Sequence, residues 1–462
     1  MRTTLLLLLL EASSARPPLS ARLGAIFSAT DSSLTSSLAL AVDLVTNSSS
    51  VLATTRLDQL TSYSSPGQPL ETLEVTCRQL EHSVFAVVTA TDQEELVGAV
   101  LQRAALPHLS LQVASEAESG AVLHLAPSRE SVGVACLEVA LAVGGRAALV
   151  HHPASGVLDP GPLLEGLPGT RLLLLTRADN REELAVLREE GVTSLVVDLA
   201  GSLVKAFLYQ AMQAGLLSPG TTFIFTSLDF ASLDLDFALL SGAQLLGLSL
   251  LEPATLETLG PELARLVTED HRAALLYDAV LLFSSGLASL SNRLDPQSER
   301  LKCGQENGSW AQGAEFRQEL GAQGGLLEGL TGGLGFQGGW REGQELHLVA
   351  RGPEGLRQVA TFNCDLAERE LVVWTGGLET REEGLVVLGP RGLGGQVEGA
   401  LARQVAILGE RLPYSLSLRW GERGNRSVPP PGQAWLVEAG EVPQLANQVL
   451  SNRLICLYLD PD

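Results

Sequence analysis

The sequence predicts an α/β protein built on more than one parallel sheet, and three observations carry that prediction. Short continuous apolar runs recur along the chain, separated by segments whose apolar residues repeat at helical spacing. Strands of a parallel sheet read in this continuous way because helices cover both of its faces. The 462 residues hold too many such units for one sheet and suit two or three folded units. With 45% hydrophobic residues but only 5% aromatics, the core must be built from Leu, Val and Ala.

The first element is the run Arg22–Phe27, a buried strand. Asp31 stands where it can cap the next helix, whose Leu34, Leu38, Val42 and Val45 share one face. Val84–Val88 is the following strand, and Asp92 with Glu95 spells a capping box for a helix through Leu101. Ala126-Pro127-Ser128 marks a division, where a capped helix opens a second series of units. Within that series Ala147–His152, Arg171–Thr176, Thr193–Leu199 and Thr222–Thr226 read as strands, with helices over 179–190 and 202–214.

A net charge of −22 and a pI near 4.8 exclude a nucleic-acid partner and adhesion to anionic headgroups, since both need a positive field. Arg2 followed by Leu5–Leu10, with small residues at Ser13 and Ala15, predicts a signal peptide over 1–15. No later run is expected to span a membrane, which takes about 20 apolar residues. Asn47, Asn307 and Asn425 each open an Asn-x-Ser triplet, the acceptor for N-glycans on the secretory route. The five cysteines are widely spaced, fit no metal pattern, and leave at least one without an intrachain partner.

Two blocks have a specific wording. Leu275–Leu290 reads LLYDAVLLFSSGLASL and precedes Cys303, the Asn307 acceptor and a Gly-Leu-Thr-Gly turn at Gly329–Gly332 entering GLGF. Leu208–Asp236 reads LYQAMQAGLLSPGTTFIFTSLDFASLDLD and is followed by SGAQLLGLSL at Ser241–Leu250. In order and wording they resemble the extracellular amino-terminal domain of ionotropic glutamate receptors of the kainate type. Leu385–Arg419 resembles, more loosely, the opening of that family's ligand-binding domain.

The resemblance implies a two-lobed periplasmic-binding-protein-like clamshell of type I, followed by an incomplete second α/β segment. It puts lobe 1 at 22–126 and 245–330, lobe 2 at 127–243 and 331–376, and a partial ligand-binding-domain lobe at 385–462. It pairs Cys77 with Cys303 in a structural disulfide, which chain entropy values at roughly 5 kcal/mol. The implied work is assembly, through lobe 1 helices around 69–82 and 92–104, with other kainate-type subunits as homo- or heterodimers within a tetramer. The implied location is the extracellular, postsynaptic side of the plasma membrane, or secretion if the chain acts as it stands. Glutamate is expected only in a complete receptor, because the PLT segment and ligand-holding arginine of the family have no match; Arg453 lacks their setting. The alternative is a secreted clamshell that takes a small molecule in its interlobe cleft. Thr89-Ala90-Thr91-Asp92 departs from the turn usual in the family there, which counts against a family-like pocket.

Other chemistry is weighed residue by residue. His151 and His152 could suggest a metal pair, but neighbours on a strand point to opposite faces. Gly333–Gly338 spells GxGxxG without the helix a dinucleotide fingerprint opens, and reads as a turn-rich strand entry. Asp229, Asp234 and Asp236 are bunched, yet lack the further oxygen ligands of a cation site. Cys136 lies on an apolar helix face as a core thiol, and Cys364 and Cys456 have no assigned partner. With no GxSxG, HExxH or P-loop, no enzyme, cofactor or metal is expected.

Overall fold

The computed structural model describes residues 18, 20–48, 55–115, 122–303, 308–323, 327–352 and 355–364, together with five short strands beyond them. The chain divides into two compact units, Met1–Leu217 with Thr222–Thr375, and Ser218–Thr221 with Gly376–Asp462.

The first unit holds two sheets. The chain opens with β1 (Ser20–Ser28), α1 (Ser33–Ser48), β2 (Arg56–Ser64), α2 (Pro69–Glu81), β3 (Ala86–Ala90), α3 (Glu94–Arg103), β4 (His108–Ser110) and β5 (Val122–His124). It crosses to a second lobe with α4 (Arg129–Val143), β6 (Arg146–His151), α5 (Pro160–Gly166), β7 (Arg171–Leu174), α6 (Arg181–Glu189), β8 (Val192–Asp198), α7 (Gly201–Gln213), β9 (Thr222–Phe225), α8 (Asp236–Leu239) and β10 (Gln244–Ser249). It returns through α9 (Pro253–Thr258), α10 (Pro261–Glu269), α11 (Arg272–Ser291), α12 (Gly313–Gly321), β11 (Glu328–Gly329), β12 (Gly332–Gly333), β13 (Gly335–Gln337) and β14 (Trp340–Glu342). A last crossing gives β15 (Glu345–Gly352), β16 (Gly355–Asn363) and β17 (Val372–Trp374).

The first sheet has seven strands in the order β13-β14-β5-β4-β3-β1-β2, parallel except for the β13–β14 hairpin. The second has eight, β17-β16-β15-β10-β9-β8-β6-β7, parallel from β7 to β10 and antiparallel beyond. Central strands are buried on both faces: all of β3 and β9, and β8 except Thr193. Each lobe therefore buries apolar side chains above and below its sheet, Phe27, Phe85, Phe283 and Phe316 in the first and Phe207, Phe223, Phe225 and Phe230 in the second. This is the predicted α/β fold of two lobes.

Some expectations are corrected in detail. The crossings fall later than 245 and 331: β10 pairs with β9 in the second sheet, and β14 pairs with β5 in the first, where Trp340 stacks on His124 at 3.9 Å. No capping box opens α3, because the Asp92 carboxylate is drawn to the Gly67 N–H at 2.7 Å. Ser128 does cap α4, accepting from the Ser131 N–H at 3.0 Å. By length and composition α11 is apolar enough to cross a membrane, contrary to the expectation that no later run qualifies. It lies in the first lobe with 14 of its residues buried, so its apolarity serves the core.

In the second unit, β18 (Leu385–Pro390), β19 (Leu416–Gly421), β20 (Gln433–Val437) and β21 (Leu457–Tyr458) form a parallel sheet ordered β19-β18-β20-β21. The signal-peptide residues 1–15, Asn307, Asn425, Arg453 and Cys456 lie outside the described residues.

Candidate functional site

The chain crosses between the lobes three times, and two polar clusters lie at the crossings, one on the lobe 1 side and one spanning the lobes. The first centres on the Leu125 carbonyl, just past β5, which accepts from Arg341 Nη1 at 3.3 Å and from Gln344 Nε2 at 3.0 Å. The first crossing is thereby tied to the third. Arg341 also donates to Thr331 Oγ1 at 2.6 Å and to the carbonyls of Thr331 and Gly333 at 3.0 and 2.9 Å. Asp278, inside α11, receives the N–H groups of Leu330 and Thr331 at 2.6 and 3.1 Å and lies 3.7 Å from Arg341. Burial pushes the Asp278 carboxyl up and the Arg341 guanidinium down, while their mutual attraction opposes both shifts.

This brace explains the Gly-Leu-Thr-Gly turn. A Cβ at Gly329 would collide with the Asp278 carboxylate, and Gly332 takes φ +98°, which side-chain-bearing residues avoid. Asp278 of the LLYDAV block and the turn are thus two halves of one contact.

The second brace joins the turn after β9 to the start of α11. Asp229 Oδ1 accepts from the His271 N–H at 2.6 Å and from its Nδ1 at 2.7 Å. Arg272 donates to both oxygens of Asp270, with Nη2 to Oδ2 at 2.8 Å, and to Asp31 Oδ2 at 2.6 Å. Asp31, expected as a helix cap, spends that oxygen on α11 instead. Burial opposes charge on His271, but Asp229 and Asp270 outweigh it and hold the imidazole above its ordinary value. Burial likewise opposes ionisation of Asp229, and His271 outweighs it, keeping the carboxyl below its usual range. Asp229, Asp270 and His271 place ligand-type atoms within 4.8 Å of one another. Arg272 fills the Asp270 oxygens with a fixed positive charge, so the cluster is an ion-pair network.

Lobe 1 carries the covalent link. Cys77 of α2 and Cys303 are bonded, at a sequence separation of 226. The segment leading to Cys303 docks on the end of α2, Leu301 N–H to Leu80 O at 3.1 Å and Arg300 Nε to Glu81 O at 2.8 Å. Beyond it, the Trp310 N–H reaches Ala104 O at the end of α3 at 2.9 Å. The cysteine loop therefore touches the C-terminal ends of both helices.

At the strand ends that line an α/β crevice, several polar groups bond one another. Thr89 Oγ1 meets Glu94 at 2.7 Å and His108 Nε2 at 2.7 Å, and Ser110 donates to the same carboxylate. Acidic Asp92, Glu94 and Glu95 thus surround the start of α3, where an incoming carboxylate would need free N–H groups and positive potential. In lobe 2 buried Asp198 receives His151 Nδ1 at 2.7 Å and Thr226 Oγ1 at 2.8 Å, while Ser155 bonds His152. Serine and aspartate engage different histidines, so no Ser-His-Asp relay forms.

Comparison with known proteins agrees with the wording of the sequence. The chain is 25% identical over 364 residues to the human protein "Glutamate receptor ionotropic, kainate 5", covering 70% of this chain and 36% of the relative. The mouse protein of that name gives the same figures, and rat "Glutamate receptor ionotropic, kainate 4" is 24% identical over 319 residues, 63% of this chain and 33% of the relative. This chain is related in sequence to kainate-type ionotropic glutamate receptor subunits. It spans about a third of the length of the curated relatives it matches. No family model matches it. The relatives are named as receptor subunits, not as enzymes.

For a kainate-receptor relative, the residues singled out in sequence have these places. Asn47 is exposed in the last turn of α1. Asp229, Asp234 and Asp236 go to three separate partners, His271, Lys205 and Arg351, and not to a common site. Gly333–Gly338 is a strand entry, as expected. Cys136 is buried, with its thiol pushed up by burial and by Asp198. Sequence reasoning missed Arg341, Gln344, His271 and Arg272. The only available signal was an Arg in the short strand after GLGF and a charged Asp-His-Arg triplet opening an otherwise apolar helix.

Proposed function

We propose that residues 22–376 are the extracellular amino-terminal clamshell of a kainate-type ionotropic glutamate receptor subunit, working in subunit assembly. On this reading 1–15 is a signal peptide, 385–462 opens a ligand-binding-domain lobe, and Asn47, Asn307 and Asn425 carry glycans. The observation that carries it is the bridged face of lobe 1. The Cys77–Cys303 bond and its loop fix the ends of α2 and α3 against each other, giving a preordered surface. On the same two helices Leu70, in the first turn of α2, is exposed at 76%, and Glu71, Glu74, Arg78 and Glu95 are exposed as well. Partners are other kainate-type subunits, and glutamate would be bound only in a complete receptor.

Sedimentation of the secreted clamshell, alone and with kainate-type amino-terminal domains, tests this. Self- or cross-association is expected, and a strict monomer with every such domain would refute the assembly role. The rival, a soluble clamshell that binds a small molecule, draws no support from the acidic start of α3. Calorimetry with amino-acid mixtures would reveal it as tight binding.

A further inference from the structure

We propose that the Asp229–His271 contact is a protonation-set latch on the angle between the lobes, tighter when His271 is protonated and looser when it is not. Asp229 belongs to lobe 2: its neighbour Phe230 is fully buried in that lobe's core. Arg351 of β15 holds the same turn, donating to the carbonyls of Ala231 and Leu233 at 3.1 Å each, so the turn moves with its lobe. His271 belongs to lobe 1, where Ala273 and Ala274 of the adjoining helix pack in a cluster with Leu40 and Leu44 of α1. One carboxylate oxygen of lobe 2 thus takes both the backbone and the ring N–H of a single residue of lobe 1.

The backbone N–H donates at any pH; the ring adds a charge only when protonated. The charged groups facing the ring are Asp229 across the seam, Asp270 at 4.0 Å, and Arg272, itself held by Asp270 and by Asp31 ahead of α1. Loss of the proton leaves the negative Asp229 and Asp270 balanced by Arg272 alone. The Arg341–Leu125 contact, on the lobe 1 side, contains no imidazole and takes no part in this titration. The latch is therefore the seam's adjustable contact, and it holds whether or not the clamshell works in assembly.

Hydrogen exchange on the full chain, corrected for intrinsic rates, tests the latch between about pH 6 and about pH 8.5. A charge-assisted bond is roughly twice as strong as a neutral one, so protection of the amides of 229–233 and 271–275 should fall about fivefold across that range. In His271→Gln, which keeps an uncharged side-chain donor, it should stay level. Equal pH dependence in both proteins would overturn the proposal. Should that variant fold poorly, Asp229→Asn serves with an NMR titration of His271. The imidazole should titrate above the ordinary value of about 6.5 in the native chain and lower in the variant. A titration unchanged by Asp229→Asn would equally overturn it.

Discussion

Lowering the pH should destabilise lobe 1 through two histidines that fold buried and neutral. His108, at the start of β4, has its value pushed down to about 3 by burial and then by the nearby His124. His124, stacked on Trp340, is pushed down to about 4 by burial. Among the described residues, neither ring nitrogen of His124 has a hydrogen-bond partner, and neither does His108 Nδ1. The sign follows from these depressed values. Each group stabilises the fold fully above its unfolded value of about 6.5, and that stability is lost as pH falls toward 3 and 4. At pH 5 the unfolded imidazole has gained its proton and the folded one has not, a gap of roughly 1.5 pH units, or about 2 kcal/mol each. The pair together should remove about 4 kcal/mol between pH 7.5 and pH 5. His271, held high, runs the opposite way: its contribution is complete below about 6.5 and fades as pH rises through its folded value. Comparison with His124→Phe isolates His124, since every other titrating group, His108 included, is common to both proteins. Phenylalanine can keep the stack on Trp340 and abandons no hydrogen bond. Urea unfolding at pH 7.5, 6.5, 5.5 and 5 should show the variant losing about 2 kcal/mol less than the native chain over that range. Identical losses in the two proteins would refute the reasoning.

Three further outcomes are expected. Replacing Cys77 and Cys303 together by Ser should lower stability by about 2–5 kcal/mol, read as a shift of the urea midpoint, because the bond closes a very long loop. Arg341→Met leaves Asp278 charged in the interior and should cost about 3–5 kcal/mol, while Arg341→Met with Asp278→Leu should recover much of that loss in the same assay. Leu70→Arg, on an exposed position, should leave thermal unfolding within about 0.5 kcal/mol of the native chain yet weaken association in sedimentation by about tenfold.

The strands were legible in the sequence wherever burial on both faces made them continuous, as at Val84–Val88 and Thr222–Thr226. Ser128 was legible as a cap because its hydroxyl acts on a neighbour three residues away. Asp31 and Asp92 misled, since their sequence neighbours suggested local caps while Arg272 and Gly67 bound them from afar. The same limit hid the seam. Arg341 lies 216 residues from the carbonyl it grips, and His271 lies 42 from its carboxylate, so no local pattern could pair them. The crossings were misplaced for a related reason. SGAQLLGLSL carries one apolar strand that either sheet could accept, and only pairing with β9 decides between them.

These braces also bear on what the clamshell can do. A cleft that closes on a ligand needs hinges whose contacts exchange easily, whereas assembly needs a lobe angle that stays fixed. Here the first and third crossings share the Leu125 carbonyl, which accepts from both Arg341 and Gln344. Thr89, Glu94 and Ser110 likewise bond one another, as do His151, Asp198 and Thr226 in the second lobe. These bonds occupy groups that a small molecule entering the crevice would have to displace. The His271 contact differs from these in joining the two lobes, and it places a titrating group at the second crossing.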